Sequence, residues 1–254
     1  MADRGAGLSN VPSGQPPQPL TPTNPSVSMQ ESKVMSEYRV ALKDKILQAA
    51  MKEFRSKGIK AVKMDDIAAQ LSISKRTLYE LYANKEDLLL EGMKRYCAER
   101  REESMRNAQG QMSTMDVLIQ ELHTKMREFK TTNPLFYSDI EHYSKLLDFL
   151  RQEKNANHEL FVQFLRRGEE EGYFCQGLDY DLIANLLDEQ SNLIMAHKLY
   201  RNHPMQEVLF NTLHIAVRGL CTPKGIKVID AFMAKHLNKY GIKPYAKAMG
   251  AKPD

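Results

Sequence analysis

From Ser36 onwards, apolar residues recur three and four positions apart, and no stretch keeps the alternation of two that a strand needs. In "SEYRVALKDKILQAAMKEFRSKG", Leu42, Ile46, Ala49, Ala50 and Phe54 fall on one helical face, and Gly58 supplies a stop. A short helix over 64–71 follows, with Ile67, Ala68 and Leu71 facing inward. Ser72 and Ile73 make a turn, and Ser74 caps a second short helix running to about Tyr82. Asn84 caps the next, whose first turn holds Glu86 and Asp87, the signs a helix N-terminus favours. Beyond Gly110 the same periodicity predicts helices over about 114–130, 135–143, 144–171, 180–201, 204–219 and 225–240. The expected fold class is all-α: an N-terminal three-helix helix-turn-helix domain followed by a larger helical domain.

Composition changes this picture at the N-terminus. Residues 1–28 hold six of the eleven prolines, interleaved with Ser, Thr, Gly and Gln. Such a segment buries too little apolar area to offset its ordering entropy, so residues 1–35 are expected to be a disordered tail. Charge is uneven. Residues 39–108 carry 16 cations and 11 anions, whereas 109–254 carry 18 of each. The cationic excess therefore lies in the segment with the two short helices, which suits a polyanionic partner. Cys97, Cys175 and Cys221 are too far apart for a metal-ligand pair or a disulfide framework, and fit a reducing compartment. No apolar run has the length of a signal peptide or a membrane span, so the expected location is cytoplasmic, with no membrane partner.

The candidate chemistry sits in "SISKRTLYELYANKEDLL", residues 72–89. Two short helices joined by a tight turn, the second with a cationic front, describe a helix-turn-helix. In that arrangement the first helix braces against the duplex backbone and the second enters the major groove. Lys75 and Arg76 stand at its tip, where either can donate to guanine O6 and N7, arginine with the better fork. Thr77 can meet a phosphate or a thymine methyl, and the Tyr79 hydroxyl can reach a phosphate. Ser74 is the cap and lies at the same tip. Lys85, with the free N–H groups after Asn84, is expected to clamp a phosphate, and Lys63 to do so in front of the bracing helix.

"MDDIAAQLSISKRTLYELYANKEDLL", preceded by a helix ending in "EFRSKG", resembles the DNA-binding domain of the TetR (tetracycline-repressor-like) family of transcriptional regulators. The resemblance rests on Ile67-Ala68, Ser74, Thr77-Leu78-Tyr79, Tyr82, Lys85-Glu86 and Leu88, and covers about residues 39–99, with the helix-turn-helix at 63–82. It implies a homodimer on near-palindromic double-stranded operator DNA. It also implies a helical domain, over about 110–245, that dimerises and binds a small-molecule effector, in most members releasing the DNA. The helices over 180–201 and 204–219 would then pack across a twofold axis, with Leu182, Leu186, Leu187, Leu193 and Ile194 on the first and Val208, Leu209, Leu213 and Val217 on the second. Four places depart from the family pattern: Ser72 stands where Gly or Asn is usual, Arg76 where Gly is frequent, Val62-Lys63 where Thr often starts the bracing helix, and Leu81 where His is common. A non-Gly residue at positive φ costs about 1 kcal/mol, so the turn at Ser72 is expected to adjust.

Other chemistries lack a pattern. His197 and His203 are six apart and do not share a helical face, and no HExxH, GxGxxG, phosphate-binding lysine loop or GxSxG occurs. No cofactor, metal or enzymatic activity is expected. Met126, Phe129, Phe136, Tyr137, Tyr143, Phe161, Phe164, Met195 and Tyr200 fit a helical core better than a ligand cavity, so no effector-contacting residue is assigned. The expected function is a DNA-binding regulator, a repressor released by an effector. The alternative is a helical effector-binding or interaction protein without specific operator binding.

Overall fold

The structure is a computed structural model that describes residues 25–109 and 112–236. Ten α-helices make up the described chain: α1 (Pro25–Lys57), α2 (Met64–Gln70), α3 (Lys75–Leu81), α4 (Lys85–Gln109), α5 (Thr114–Thr131), α6 (Pro134–Ile140), α7 (Ser144–Glu170), α8 (Tyr180–Ala196), α9 (Met205–Leu220) and α10 (Pro223–His236). Among the described residues the only β pairing is one isolated bridge, Phe174 with Cys221. The all-α expectation therefore holds. Contacts divide the chain into two units, Met1–Leu42 and Lys43–Asp254. The second unit holds the helix-turn-helix and all of the larger helical region.

The sequence expectation is corrected at two helix ends. α1 begins at Pro25, not Ser36, so residues 25–35 are helix rather than tail. Proline suits a first helical position, because its missing N–H would have no partner there. The ten residues after it contain no Gly or Pro to break the helix. Residues 1–24 lie outside the described residues. At the second of these ends, α8 stops at Ala196 instead of reaching Arg201, because Lys198 takes a left-handed backbone (φ 51°). A 3₁₀ turn, Leu199–Arg201, then leads to Pro204 and α9.

The head is built from the second half of α1 with α2, α3 and the start of α4. Ile46, Ala50, Phe54, Ile59, Ile67, Ala68, Leu78, Leu88 and Leu89 are essentially inaccessible to solvent. Gly92 of α4 lies against Met51 and Leu47 of α1, and a Cβ there would meet the Met51 sulfur at 2.5 Å. The body is a second core, in which α5, α7, α8, α9 and α10 bury Met115, Leu122, Leu165, Phe174, Phe210, Ile229 and Phe232 together. Phe129, Tyr200 and Val208 belong to a smaller satellite cluster, and Phe161 and Phe164 stack against the main one. These aromatics are core, as their spacing suggested. The side chains of Met195 and Leu213 lie outside the described residues, as does Tyr240 at the expected end of α10.

The turn between α2 and α3 does not adjust around Ser72. Ser72 adopts φ 53°, its N–H bonds to the Ala69 carbonyl (3.1 Å), and the Ile73 N–H bonds to that of Ala68 (3.0 Å). That pair of bonds closes a Schellman motif, which satisfies two carbonyls at the end of α2. The serine carries the strain that Gly or Asn would avoid. Ser72→Gly is expected to stabilise the protein by about 0.5 kcal/mol, relief of the left-handed cost less the added unfolded-state entropy. Ser72→Val is expected to destabilise it by about 1 kcal/mol, because a β-branched residue resists positive φ. Urea unfolding of the two variants beside the parent checks both signs.

Candidate nucleic-acid interface

α3 has seven residues, and their spacing decides what each one faces. Leu78 is fully buried, whereas Lys75, Arg76, Tyr79 and Glu80 are exposed on the opposite side. Ser74 opens the helix in extended backbone, and its Oγ accepts from the Thr77 N–H (3.0 Å). The Ser74 and Thr77 hydroxyls also share a 2.8 Å hydrogen bond. Ser74 is thus the cap that the sequence indicated, and its oxygen is occupied while the helix is intact.

The two cations at the tip are exposed but paired. Lys75 Nζ donates to Asp65 Oδ2 of α2 at 2.5 Å, and Arg76 Nε donates to Glu80 Oε1 at 2.8 Å, one turn along α3. The hydrogen bond to Asp65 holds the Lys75 ammonium above the ordinary lysine range, and that to Glu80 does the same for the Arg76 guanidinium. The Arg76 side chain is 88% exposed. Tyr79, at 47% exposure, stands on the same face one turn from Lys75. Lys63 is exposed at the cap position of α2, where its own N–H donates to Asp66 Oδ2 (3.3 Å).

Lys85 is placed differently from the sequence expectation of a phosphate clamp. Its ammonium turns inward, donating to the carbonyls of Ile59 (2.9 Å) and Val62 (3.0 Å) in the loop between α1 and α2. Burial pulls its pKa below the usual lysine range, and nearby Asp139 pushes back. The lysine ties the start of α4 to that loop. Two carbonyls already hold two of its three N–H donors, so a full phosphate clamp would have to displace them. Asn84 caps α4 as expected, accepting from the Asp87 N–H at 2.9 Å.

Sequence reasoning missed the contacts that fasten the head to the body. Asn133, the cap of α6, donates its N–H to the Arg55 carbonyl (2.7 Å) and its side-chain amide to that of Ser56 (3.2 Å). Asp139, nearly inaccessible on α6, accepts from the Lys60 N–H at 2.8 Å. Gly58, at φ 89°, lets Leu135 pack where a Cβ would come within 2.8 Å of it. Lys145 at the start of α7 donates its N–H to Glu86 and its ammonium to Asp87 on α4 (3.0 and 2.7 Å). Such pairs join residues far apart in the chain and leave no trace in local periodicity. The Arg76–Glu80 pair, also missed, has the i,i+4 spacing of a helical ion pair, a local signal that could have found it.

Residues 46–91 match the sequence model of bacterial regulatory proteins, tetR family. The match contains α2, α3, their turn and the Lys85 brace. The segment that carries the helix-turn-helix is a domain of the tetR type. That segment is accordingly a DNA-binding module of the kind bacterial regulatory proteins carry. No curated protein sequence matches it. Solved structures share the fold at low identity. A TetR-family regulator from Marinobacter aquaeolei VT8 is 17% identical, covering 78% of this chain and 98% of its own, with a TM-score of 0.59. One from Agrobacterium tumefaciens is 14% identical, covering 72% and 100%, at 0.58. A protein of Saccharomonospora viridis solved in complex with choline is 18% identical, covering 63% and 86%, at 0.52. Among the described residues no helix is long and apolar enough to cross a membrane.

The different settings of the two lysines give a direct contrast. Lys85→Met is expected to lower stability by about 1 kcal/mol, leaving two carbonyls without their charged donor. It should leave the salt dependence of DNA binding unchanged. Lys75→Met should leave stability within about 0.5 kcal/mol of the parent and weaken binding to a selected DNA site by about 1–3 kcal/mol. Denaturant melts and binding titrations across a salt series read both.

Proposed function

We propose that the protein is a homodimeric repressor whose two α3 helices enter successive major grooves of an operator and withdraw when a small molecule binds the body. The observation that carries this reading is the outward face of α3: Lys75, Arg76 and Tyr79 project from a helix whose opposite side is sealed by Leu78. Lys75 and Arg76 are the base readers, each bidentate contact worth about 1–3 kcal/mol of discrimination. Tyr79, Thr77 and Lys63 hold phosphates. Ser74 keeps the tip folded. Lys85 supports the assembly from behind.

Dimerisation is supported by apolar surface on the last long helices of the body. Leu182, Leu186 and Leu193 of α8 are each about half exposed, at 54%, 59% and 51%, and Ile215 of α9 is 70% exposed. Leu186 and Leu193 line an open groove of about 470 Å³, with Ile183, Leu187, Ala216, Leu220 and the polar Glu189 and Gln190. Monomeric proteins seldom leave such a stripe in water, and a second copy of α8 and α9 would cover it. Leu187 packs inward on the body core and Ile194, Val208 and Val217 are buried, so only part of the apolar face on these helices is available to a partner.

Effector control is supported by the contacts at α6. Asn133 holds the last turn of α1, Asp139 the loop after it, and Lys145 the start of α4. A ligand that shifts α6 or α7 would therefore move the head as a unit and change the spacing of two heads in a dimer. The choline complex of the Saccharomonospora viridis protein is consistent with small-molecule binding on this fold.

Selection of bound fragments from a genomic library tests the reading. The wild-type protein should enrich a small set of near-palindromic fragments, and Lys75→Ala with Arg76→Ala should abolish that enrichment while the protein stays folded by circular dichroism. Leu186→Glu with Leu193→Glu should give monomers in sedimentation and lower operator affinity by about tenfold or more, since one head loses the effective concentration supplied by the other. If the wild type enriches nothing at moderate salt, the alternative stands: a helical effector-binding protein without specific operator binding.

A further inference from the structure

The reading unit is not a basic patch, because each of its cations is matched by a carboxylate. From Lys63 to Tyr82 the cations are Lys63, Lys75 and Arg76, and the anions are Asp65, Asp66 and Glu80. Asp66 has a local task, accepting from the Lys63 N–H at the start of α2. Asp65 shares that first turn and Glu80 has the i,i+4 spacing of a helical pair, but both also reach the tip. Their carboxylates point outward and close on the two cations assigned to reading bases, Asp65 on Lys75 from across the turn and Glu80 on Arg76 from one turn along. The side chains of Asp65 and Glu80 are themselves about half exposed, so neither pair is sealed from water or from an approaching duplex.

We propose that Asp65 and Glu80 are specificity-determining residues that hold down binding to random DNA by competing with phosphates for Lys75 and Arg76. The inference rests on the DNA-binding reading above. Non-specific affinity comes almost entirely from cations that neutralise phosphates and release their counterions. A reading unit with equal numbers of the two charges gains little from phosphates in general. On a wrong sequence, Lys75 and Arg76 keep their carboxylates, and those carboxylates repel the backbone. At a guanine in register, O6 and N7 present two fixed acceptors that a carboxylate-bound cation can turn to, and the freed carboxylate can accept a hydrogen bond from the amino group of a neighbouring cytosine. The pairs are weak because they are exposed, so the exchange is open to a good site and closed to a poor one. Discrimination then comes from a penalty on the wrong partner as well as from contacts to the right one.

Asp65→Asn and Glu80→Gln remove the charge and keep the shape. Full-length variants are titrated by fluorescence anisotropy against the selected operator and against a random-sequence duplex of the same length, over a salt series. The expected result is a gain for the random duplex of about tenfold in the double variant, with a salt slope steeper by about 1–2, and a gain for the operator of about threefold or less. The ratio of the two affinities therefore falls. Random-duplex affinity unchanged in the folded double variant would overturn the proposal, as would an equal gain on both duplexes. A wild-type protein that prefers no sequence at all fails the DNA-binding reading itself and carries this proposal down with it. A wild type that selects an operator, beside a double variant with an unaltered ratio, fails only the proposal.

Discussion

Seven residues of helix do not hold together in water by themselves. α3 persists because Leu78 is buried among the head helices and Ser74 caps its first turn. The Schellman turn at Ser72 aims it relative to α2. That docking leaves Lys75, Arg76 and Tyr79 no direction but outward. Everything functional in the head stems from one apolar side chain sealed on one side and a row of polar ones stranded on the other. A helix of this length that lost Leu78 would lose its shape and its exposed face together.

The same constraint explains how a small head can be steered from a distance. The loop between α1 and α2 is short and carries buried residues at Ile59 and Val62, whose carbonyls Lys85 satisfies from α4. Asp139 and Asn133 of α6 hold the backbone in and just before that loop. Gly58 permits Leu135 to come close because it has no Cβ. The head is thereby coupled to the body through a few backbone hydrogen bonds with little slack. Tyr96 of α4, hydrogen-bonded to Glu128 of α5 and covered by Arg55 of α1, continues the connection into the body.

Much of the fold was legible because its signals are local. The period of apolar residues located each helix of the described chain, and Gly58, Ser74, Asn84 and Gly172 marked ends that the structure keeps. The tip residues were also legible, since exposure on a short helix is decided by where Leu78 must go. What escaped is non-local or is a balance of small terms. The extension of α1 back to Pro25 had only weak propensity behind it. The early end of α8 depends on one lysine accepting a left-handed backbone. The inward turn of Lys85 depends on carbonyls distant in the chain, and the pairing of Lys75 with Asp65 depends on the angle between two helices. Ser72 was recognisably unusual, but the turn keeps its two closing hydrogen bonds and the serine takes the strain.

The claim at the centre is that α3 reads base edges in the major groove from two symmetric copies. Methylation interference on a selected fragment tests it most directly, because a methyl on guanine N7 blocks the acceptor that the proposed readers, Lys75 and Arg76, would use. The account predicts two interfering positions related by symmetry and separated by about one helical turn, or a multiple of it. Binding that tolerates N7 methylation at every guanine of the fragment would contradict it.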